Sequence, residues 1–176
     1  MNSLGKNKPH LITLVGIPCS GKSFFAEHFA DTFKSPIISY NRLQKLLFVE
    51  PVGSKEEDEI IMRVIKYMLE ESFKTERTVV YDGPIFNHSS YEMVDKLTQK
   101  TGYEPLYVWV QIDTPTAKKR ASSSIIGNLK LNSEQFDKKV SHFCPPKSSS
   151  KSIVVSGKHT YASQLKIVLK YLAVPS

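Results

Sequence analysis

The sequence predicts a three-layer α/β domain in which a five-stranded parallel sheet is flanked by helices. Five short apolar segments alternate with longer segments whose apolar residues recur at helical spacing. Such alternation favours parallel strands joined by crossover helices. The first strand leads directly into a glycine-rich loop and a helix, which is the second observation behind this fold class.

The composition fits one folded domain. Hydrophobic residues make up 40% of the chain and charged residues 23%, and both values are ordinary for globular proteins. A length of 176 residues is enough for one buried core and short for two. We expect residues 1–9, which are polar and contain glycine and proline, to be a flexible tail, and residues 10–176 to be a single domain.

The segment LITLVGIPCSGKSFF at residues 11–25 contains the most specific motif. Gly16 is followed after four residues by Gly21, Lys22 and Ser23, which completes the G-x-x-x-x-G-K-[ST] pattern of a phosphate-binding loop. The apolar residues before it predict a strand, and the residues after it predict a helix, so the context is the required one.

This motif has a direct chemical interpretation. Its backbone N–H groups can surround a β-phosphate at the positive end of the following helix. Lys22 would reach the β- and γ-phosphate oxygens, and the Ser23 hydroxyl would ligate Mg²⁺. We therefore expect a nucleoside triphosphate to bind here. The predicted contacts are Gly16, Ile17, Pro18, Cys19, Ser20, Gly21, Lys22, Ser23 and Phe24.

The other elements are predicted in turn from apolar spacing and from capping residues. The predicted strands are residues 11–15, 36–39, 78–81, 106–112 and 153–155. The predicted helices are residues 24–33, 40–49, 55–74, 89–100, 113–124, 133–143 and 161–172.

Particular residues justify several of these boundaries. Ser54 and Glu57 have the spacing of a capping box at the start of the third helix. Gly102 is placed to end the fourth helix, and Thr160 is placed to cap the last one. The second helix should bury one apolar face formed by Leu43, Leu46 and Leu47.

Four segments together resemble the P-loop kinases of the polynucleotide kinase, zeta toxin and adenylate kinase group. They are GIPCSGKS (16–23), ISYNRLQ (38–44), VVYDGPIFN (79–87) and VQIDTPTAKKR (110–120). The resemblance covers nearly the whole chain after Pro9. It implies a P-loop NTPase fold with a small helical lid at about residues 114–151. It also implies transfer of the γ-phosphate of ATP, or of GTP, to a hydroxyl group.

The resemblance assigns roles to further residues. Asp82 follows an apolar strand and would organise Mg²⁺ or bond the acceptor hydroxyl, and Arg120 would neutralise charge on the transferred phosphoryl group. Asn41 and Gln44 are expected to contact the acceptor. They stand where family kinases commonly have Asp and Arg, so Asp82 is the leading proton acceptor, with Glu50, Glu56 and Asp58 as alternatives. Gly157, Lys158 and His159 would lie beside the adenine base.

Three functions remain open at this point. The first is an ATP·Mg²⁺-dependent phosphotransferase that acts on a hydroxyl of a nucleoside, a nucleotide, a nucleic-acid end or another small molecule. The second is a pseudokinase or nucleotide sensor, which is favoured by Asn41, Gln44 and Ser124, the position expected for a second lid arginine. The third is a simple NTPase, for which the sequence contains no dedicated element.

Charge and cysteine content indicate the compartment and the range of partners. The net charge of +7 suits a polyanion, and the basic residues from Lys118 to Lys151 form either a solvated face or a polyanion-binding face. Nucleic acid is compatible with this charge but not indicated, because aromatic residues are sparse there. Two cysteines, no apolar segment of membrane-spanning length and no signal-like N-terminus predict a cytoplasmic protein with no membrane partner.

Overall fold

The computed structural model describes residues 8–84, 88–123 and 132–173. In the first half of the chain the elements are β1 (His10–Val15), α1 (Lys22–Phe33), β2 (Ile37–Ser39), α2 (Tyr40–Leu47), α3 (Lys55–Phe73) and β3 (Val79–Asp82). In the second half they are α4 (His88–Thr101), β4 (Glu104–Gln111), α5 (Thr114–Ser123), α6 (Ser133–Ser141), β5 (Ser152–Ser156) and α7 (Tyr161–Leu172). These elements alternate as the sequence predicts.

The five strands form one parallel sheet in the order β2-β3-β1-β4-β5. In the centre, Leu11 of β1 pairs with Val79 of β3 and with Pro105 of β4. The predicted fold class is therefore confirmed. Because β1 is central, the loop that follows it lies between the ends of β3 and β4.

Helices cover both faces of the sheet. Successive side chains of β1 point to opposite faces, so Leu11 and Val15 join one core while Ile12 and Leu14 join the other. The first core includes Ile61, Ile65, Leu69 and Phe73 of α3 and Val94 and Leu97 of α4. The second includes Phe25, Ala26 and Phe29 of α1 and Val168 and Leu172 of α7. The result is the expected three-layer arrangement.

The helix caps follow the local sequence closely. The Ser54 hydroxyl accepts a hydrogen bond from the Glu57 amide at 3.2 Å, as the predicted cap requires. The Glu57 carboxylate, however, accepts from the amides of Val52 and Gly53, at 3.0 and 2.7 Å. It thereby fixes the turn that precedes α3. Thr160 caps α7, and Gly102 follows α4 in a left-handed conformation with φ of +73°.

The predicted apolar face of α2 is wrong. Leu43 is buried, but Leu46 and Leu47 are 79% and 41% exposed. The buried positions of this helix are Leu43 and Gln44 instead. The physical reason is that α2 divides its inner face between the apolar core and a polar cavity, so its hydrophobic spacing does not mark the buried side.

Some sequence expectations lie outside the described residues. These are residues 1–7 of the tail, Asn87 in the third family segment, and Ser124, Gly127 and Lys130 in the lid region. Within the part of the chain that is described, no helix is long and apolar enough to cross a membrane.

Candidate functional site

The loop after β1 is shaped by residues with positive φ angles. Gly16 has φ of +147° and Gly21 has φ of +106°. A Cβ atom on Gly16 would lie 2.5 Å from the Val110 carbonyl oxygen and 2.8 Å from the Ser20 Oγ. The Cys19 backbone is also left-handed, with φ of +59°. Together these angles turn the chain tightly into α1, which begins at Lys22.

Lys22 holds the start of this loop in place. Its Nζ donates hydrogen bonds to the carbonyl oxygens of Gly16 and Ile17, both at 2.8 Å. Burial lowers the pKa of Lys22 to about 8, and the negative charge of Asp82 opposes that shift. A bound triphosphate would favour the ammonium form further, because it brings negative charge to the loop.

The connection between β5 and α7 packs against the backbone of the loop. The Gly157 amide donates to the Gln111 carbonyl at 2.7 Å. A Cβ atom on Gly157 would lie only 2.2 Å from the Ser20 carbonyl oxygen, so the two backbones touch. Ser20 is fully buried and packs against the backbone rather than lining the open side of the loop.

A cavity of about 570 Å³ opens above the loop. Its volume is in the range expected for a small-molecule site. The sheet order gives it two walls, because β2 and β3 lie on one side of β1 and β4 and β5 on the other. The predicted acceptor contacts Asn41 and Gln44, both on α2, line it from the first side. The predicted lid residue Arg120 lines it from the second.

Asp82 lies at the end of β3, beside the phosphate loop. It is only 5% exposed, and its Oδ2 accepts a hydrogen bond at 3.3 Å from the Ser39 hydroxyl, its register partner on β2. Its charge acts on the Lys22 ammonium, which shows that the two groups are electrostatic neighbours. Asp82 therefore contributes a fixed carboxylate to the floor of the cavity.

The second wall carries two cationic side chains. Arg120 of α5 donates from Nη2 to the Gly157 carbonyl at 3.1 Å. Helix α5 packs against α6 through Ala117, Ala121 and Phe136. On α6, Lys139 also lines the cavity, and its charge contributes to lowering the pKa of Lys22. Lys139 therefore adds a second positive charge to this wall of the cavity.

Lys139 was missed by sequence reasoning, which grouped it with the other basic residues of this region. A signal was available, because Phe136 is an apolar residue of the predicted helix 133–143 and Lys139 lies three residues later, on the same face. Two other lysines of the basic run form ion pairs. Lys118 pairs with Asp137 at 2.6 Å, and Lys151 pairs with Glu104 at 3.0 Å.

The first wall contains a pair that the sequence did not connect. The Tyr40 hydroxyl donates a hydrogen bond to Asp58 Oδ1, and both side chains line the cavity. Burial and this hydrogen bond raise the pKa of Tyr40 above its usual range, so the phenol remains a donor. Of the alternative carboxylates, Asp58 lines the cavity, while Glu50 and Glu56 are exposed and are not part of its lining.

The expected adenine contacts lie in different places. The backbone of Gly157 lies against the phosphate loop at Ser20 and is not part of the cavity lining. Lys158 forms an ion pair with Asp113 at 2.5 Å and lines a neighbouring cavity that also contains Trp109. His159 is exposed, and its amide closes a turn to the Ser156 carbonyl. Lys158 and His159 therefore do not line the cavity above the phosphate loop.

The residues present fit a Mg²⁺ ion that is shared with a triphosphate. Ser23 and Asp82 supply a hydroxyl and a carboxylate, which are oxygen donors of the kind Mg²⁺ prefers, and both line the cavity. Among the described residues, no cluster of three or more His, Cys, Asp or Glu side chains could hold a metal by protein ligands alone. A Mg²⁺ ion here would depend on phosphate oxygens and water for its remaining ligands.

Comparison with known proteins identifies the family. The model of the AAA domain family matches residues 11–123, which is more than half of the chain. The chain belongs to the AAA domain family. The AAA domain match contains the phosphate loop, Asp82 and Arg120, and it ends before Lys139 and Gly157. No curated protein matches the sequence significantly.

Solved structures share the fold of this AAA domain protein. A candidate kinase from Chloroflexus aurantiacus is 14% identical with a TM-score of 0.77, and the match covers 96% of this chain and 98% of the other. A gluconokinase from Sinorhizobium meliloti is 18% identical with a TM-score of 0.67, covering 96% and 94%. Kti12 from Chaetomium thermophilum, in complex with ADP-AlF3, is 13% identical with a TM-score of 0.67, covering 91% and 96%. This chain therefore has the fold of P-loop kinases.

Proposed function

We propose that this protein is a phosphotransferase that transfers the γ-phosphate of ATP, with Mg²⁺, to a hydroxyl group of a small acceptor. The observation that carries the proposal is the composition of one cavity. It combines a phosphate loop and two lid-side cations with a wall of polar side chains that phosphate binding alone does not require. The similar structures described as a gluconokinase and as Kti12 with ADP-AlF3 support this choice.

We assign each group of residues a separate role in the reaction. Backbone amides from Gly16 to Ser23 would hold the β-phosphate, while Lys22 and Arg120 would neutralise charge on the transferred group. Mg²⁺, held by Ser23 and through water by Asp82, would supply further charge neutralisation at the phosphates. The region of α5 and α6, within residues 114–151, would act as the lid that excludes water.

The transfer itself exchanges one phosphorus–oxygen bond for another. The acceptor hydroxyl oxygen attacks the γ-phosphorus, and the bond from that phosphorus to the β–γ bridging oxygen breaks, which releases ADP. The hydroxyl proton passes to a carboxylate, which we assign to Asp82 because it ends β3 beside the phosphate loop and lines the cavity. Since this transition state is loose, positioning and charge neutralisation matter more than the base.

The direct test measures transfer of label from γ-labelled ATP, in the presence of Mg²⁺, into nucleosides, nucleotides, sugars and 5′-hydroxyl oligonucleotides, with released phosphate counted in parallel. Label in an acceptor is expected. Binding of ATP with neither transfer nor phosphate release would favour a nucleotide sensor, consistent with Asn41 and Gln44. Phosphate release that no acceptor stimulates would indicate a simple NTPase.

Asp82→Asn should lower the rate of transfer by about 10²-fold, the lower end of the usual contribution of a general base, because a loose transition state depends less on proton removal. The amide keeps the shape of the side chain but cannot accept a proton. Asp58→Asn is the matched control, because it removes the other carboxylate of the same cavity. Rates measured at saturating ATP compare the two. A larger loss in Asp58→Asn would move the proton acceptor to the Tyr40–Asp58 pair.

Lys139→Gln should lower kcat roughly tenfold, because a cation near the phosphates is lost from a partly solvated position. The KM for the acceptor should change little. Lys138→Gln is the control, since this exposed neighbour does not line the cavity. Steady-state kinetics of both variants provide the comparison. Equal kcat values in the two variants would show that Lys139 has no role in the reaction.

A further inference from the structure

The charges that line the cavity are divided between its two walls. The cations Arg120 and Lys139 belong to α5 and α6, on the β4–β5 side, and Lys22 lies between the walls at the start of α1. We define the acceptor wall as the residues of α2 and α3 that line the cavity, on the β2 side. Among the described residues these are Tyr40, Asn41, Gln44 and Asp58, so α2 and α3 contribute no basic side chain to the cavity.

The basic residues of α2 lie away from the cavity. Arg42 forms an ion pair with Glu27 of α1 at 2.8 Å, and Lys45 is exposed. Neither lines the cavity. The acceptor wall therefore has two carboxamides, a phenol and a carboxylate, and Asp82 adds a second carboxylate at its base.

Part of the acceptor wall is positioned by contacts within the protein. Gln44 is 7% exposed, and Tyr40 is bound to Asp58 by a hydrogen bond. Asp58 lies in the first turn of α3, whose preceding turn is fixed by the Glu57 carboxylate. Side chains that are positioned before binding select ligands by the hydrogen-bonding groups and charges they already present.

From this division of charge we infer that the acceptor is an uncharged hydroxyl compound, such as a nucleoside or a sugar, and not a phosphorylated one. This inference rests on the proposed phosphotransfer. Carboxamides donate and accept hydrogen bonds, so Asn41 and Gln44 match neutral hydroxyl or base-edge groups. A phosphate on the acceptor would face Asp58 and Asp82 with no cation on the acceptor wall, and this repulsion disfavours binding.

Paired acceptors test the inference. Transfer from γ-labelled ATP is compared between adenosine and its 5′-monophosphate, the other nucleosides and their 5′-monophosphates, and glucose and glucose 6-phosphate. The unphosphorylated member of an accepted pair should have at least tenfold higher kcat/KM. Comparison of the rates for the nucleosides and for glucose identifies which class of neutral compound is used.

Gln44→Arg tests the same idea from the side of the protein. A new guanidinium on the acceptor wall should lower the ratio of kcat/KM values for unphosphorylated and phosphorylated acceptors by about tenfold or more, because charged hydrogen bonds to phosphate are strong. Gln99→Arg is the matched control. It makes the same substitution at an exposed position of α4 outside the cavity, and it should leave the ratio unchanged.

Gln44 is buried, so Asn41→Lys provides a second variant at a half-buried position of the same wall. It should shift the ratio in the same direction. A wild-type preference for the phosphorylated member of a pair would overturn the inference while leaving the proposed function intact. Absence of transfer into every acceptor would overturn the proposed function itself, and this inference with it.

Discussion

Lys22→Ala should reduce phosphoryl transfer by about 10²- to 10³-fold, the effect typical of removing one group that stabilises a transition-state charge. The loss should appear mainly in kcat, since the proposed role of Lys22 is to neutralise charge on the transferred phosphate. The variant also loses the two hydrogen bonds that close the loop onto the carbonyls of Gly16 and Ile17. Single-turnover transfer from γ-labelled ATP measures the effect.

Thermal unfolding provides an independent measurement of the Lys22 assignment. ATP at a hundredfold excess over its Kd should stabilise the wild-type fold by about 2.7 kcal/mol. The shift should be much smaller in Lys22→Ala. Lys166→Ala is the control, because this lysine of α7 is exposed and does not line the cavity. An undiminished shift in Lys22→Ala would place the nucleotide elsewhere.

Gly157→Ala should destabilise the fold by about 3 kcal/mol and abolish nucleotide binding, because overpacking at a backbone contact cannot be relieved by a side-chain rotation. The added methyl group would lie 2.2 Å from the Ser20 carbonyl oxygen and 3.3 Å from that of Gln111. To make room, the phosphate loop must move. Urea unfolding measures the stability, and titration with ATP measures the binding.

Gly102→Ala is the matched control for this prediction. Gly102 has φ of +73°, and nothing lies within 4 Å of the position its Cβ would occupy. Its substitution therefore adds backbone strain of about 1 kcal/mol without a steric clash. Nucleotide binding should be retained in Gly102→Ala. Equal losses of stability and binding in the two variants would contradict the supporting role of Gly157.

Local sequence signals predicted the central part of the site. The loop from Gly16 to Ser23 follows β1 directly, Asp82 is the last residue of β3, and the sheet brings the ends of these two strands together. A motif and a strand end are local features, so both can be recognised without knowledge of the tertiary packing. Arg120 followed from a family segment, and it too lines the cavity.

The remaining lining residues depend on packing between distant elements. Lys139 reaches the cavity because α6 packs on α5, and no motif marks that contact. Tyr40 and Asp58 meet because the turn before α3 brings α3 beside α2. The wrong prediction for Leu46 and Leu47 has the same origin. Helical spacing identifies apolar stripes, but it does not show that part of a buried face belongs to a polar cavity.

The central position of β1 also affects how the protein can fold during synthesis. Leu11 pairs with Val79 and Pro105, which come much later in the sequence, and the loop after β1 contacts Gly157, which comes later still. Contacts this distant in sequence slow folding, because long segments must be ordered before the contacts form. A ribosome-bound chain that lacks β5 should therefore be unable to retain ATP. Until β3 and β4 have been made, the apolar β1 lacks its partner strands, and an exposed apolar segment of this kind is prone to aggregation.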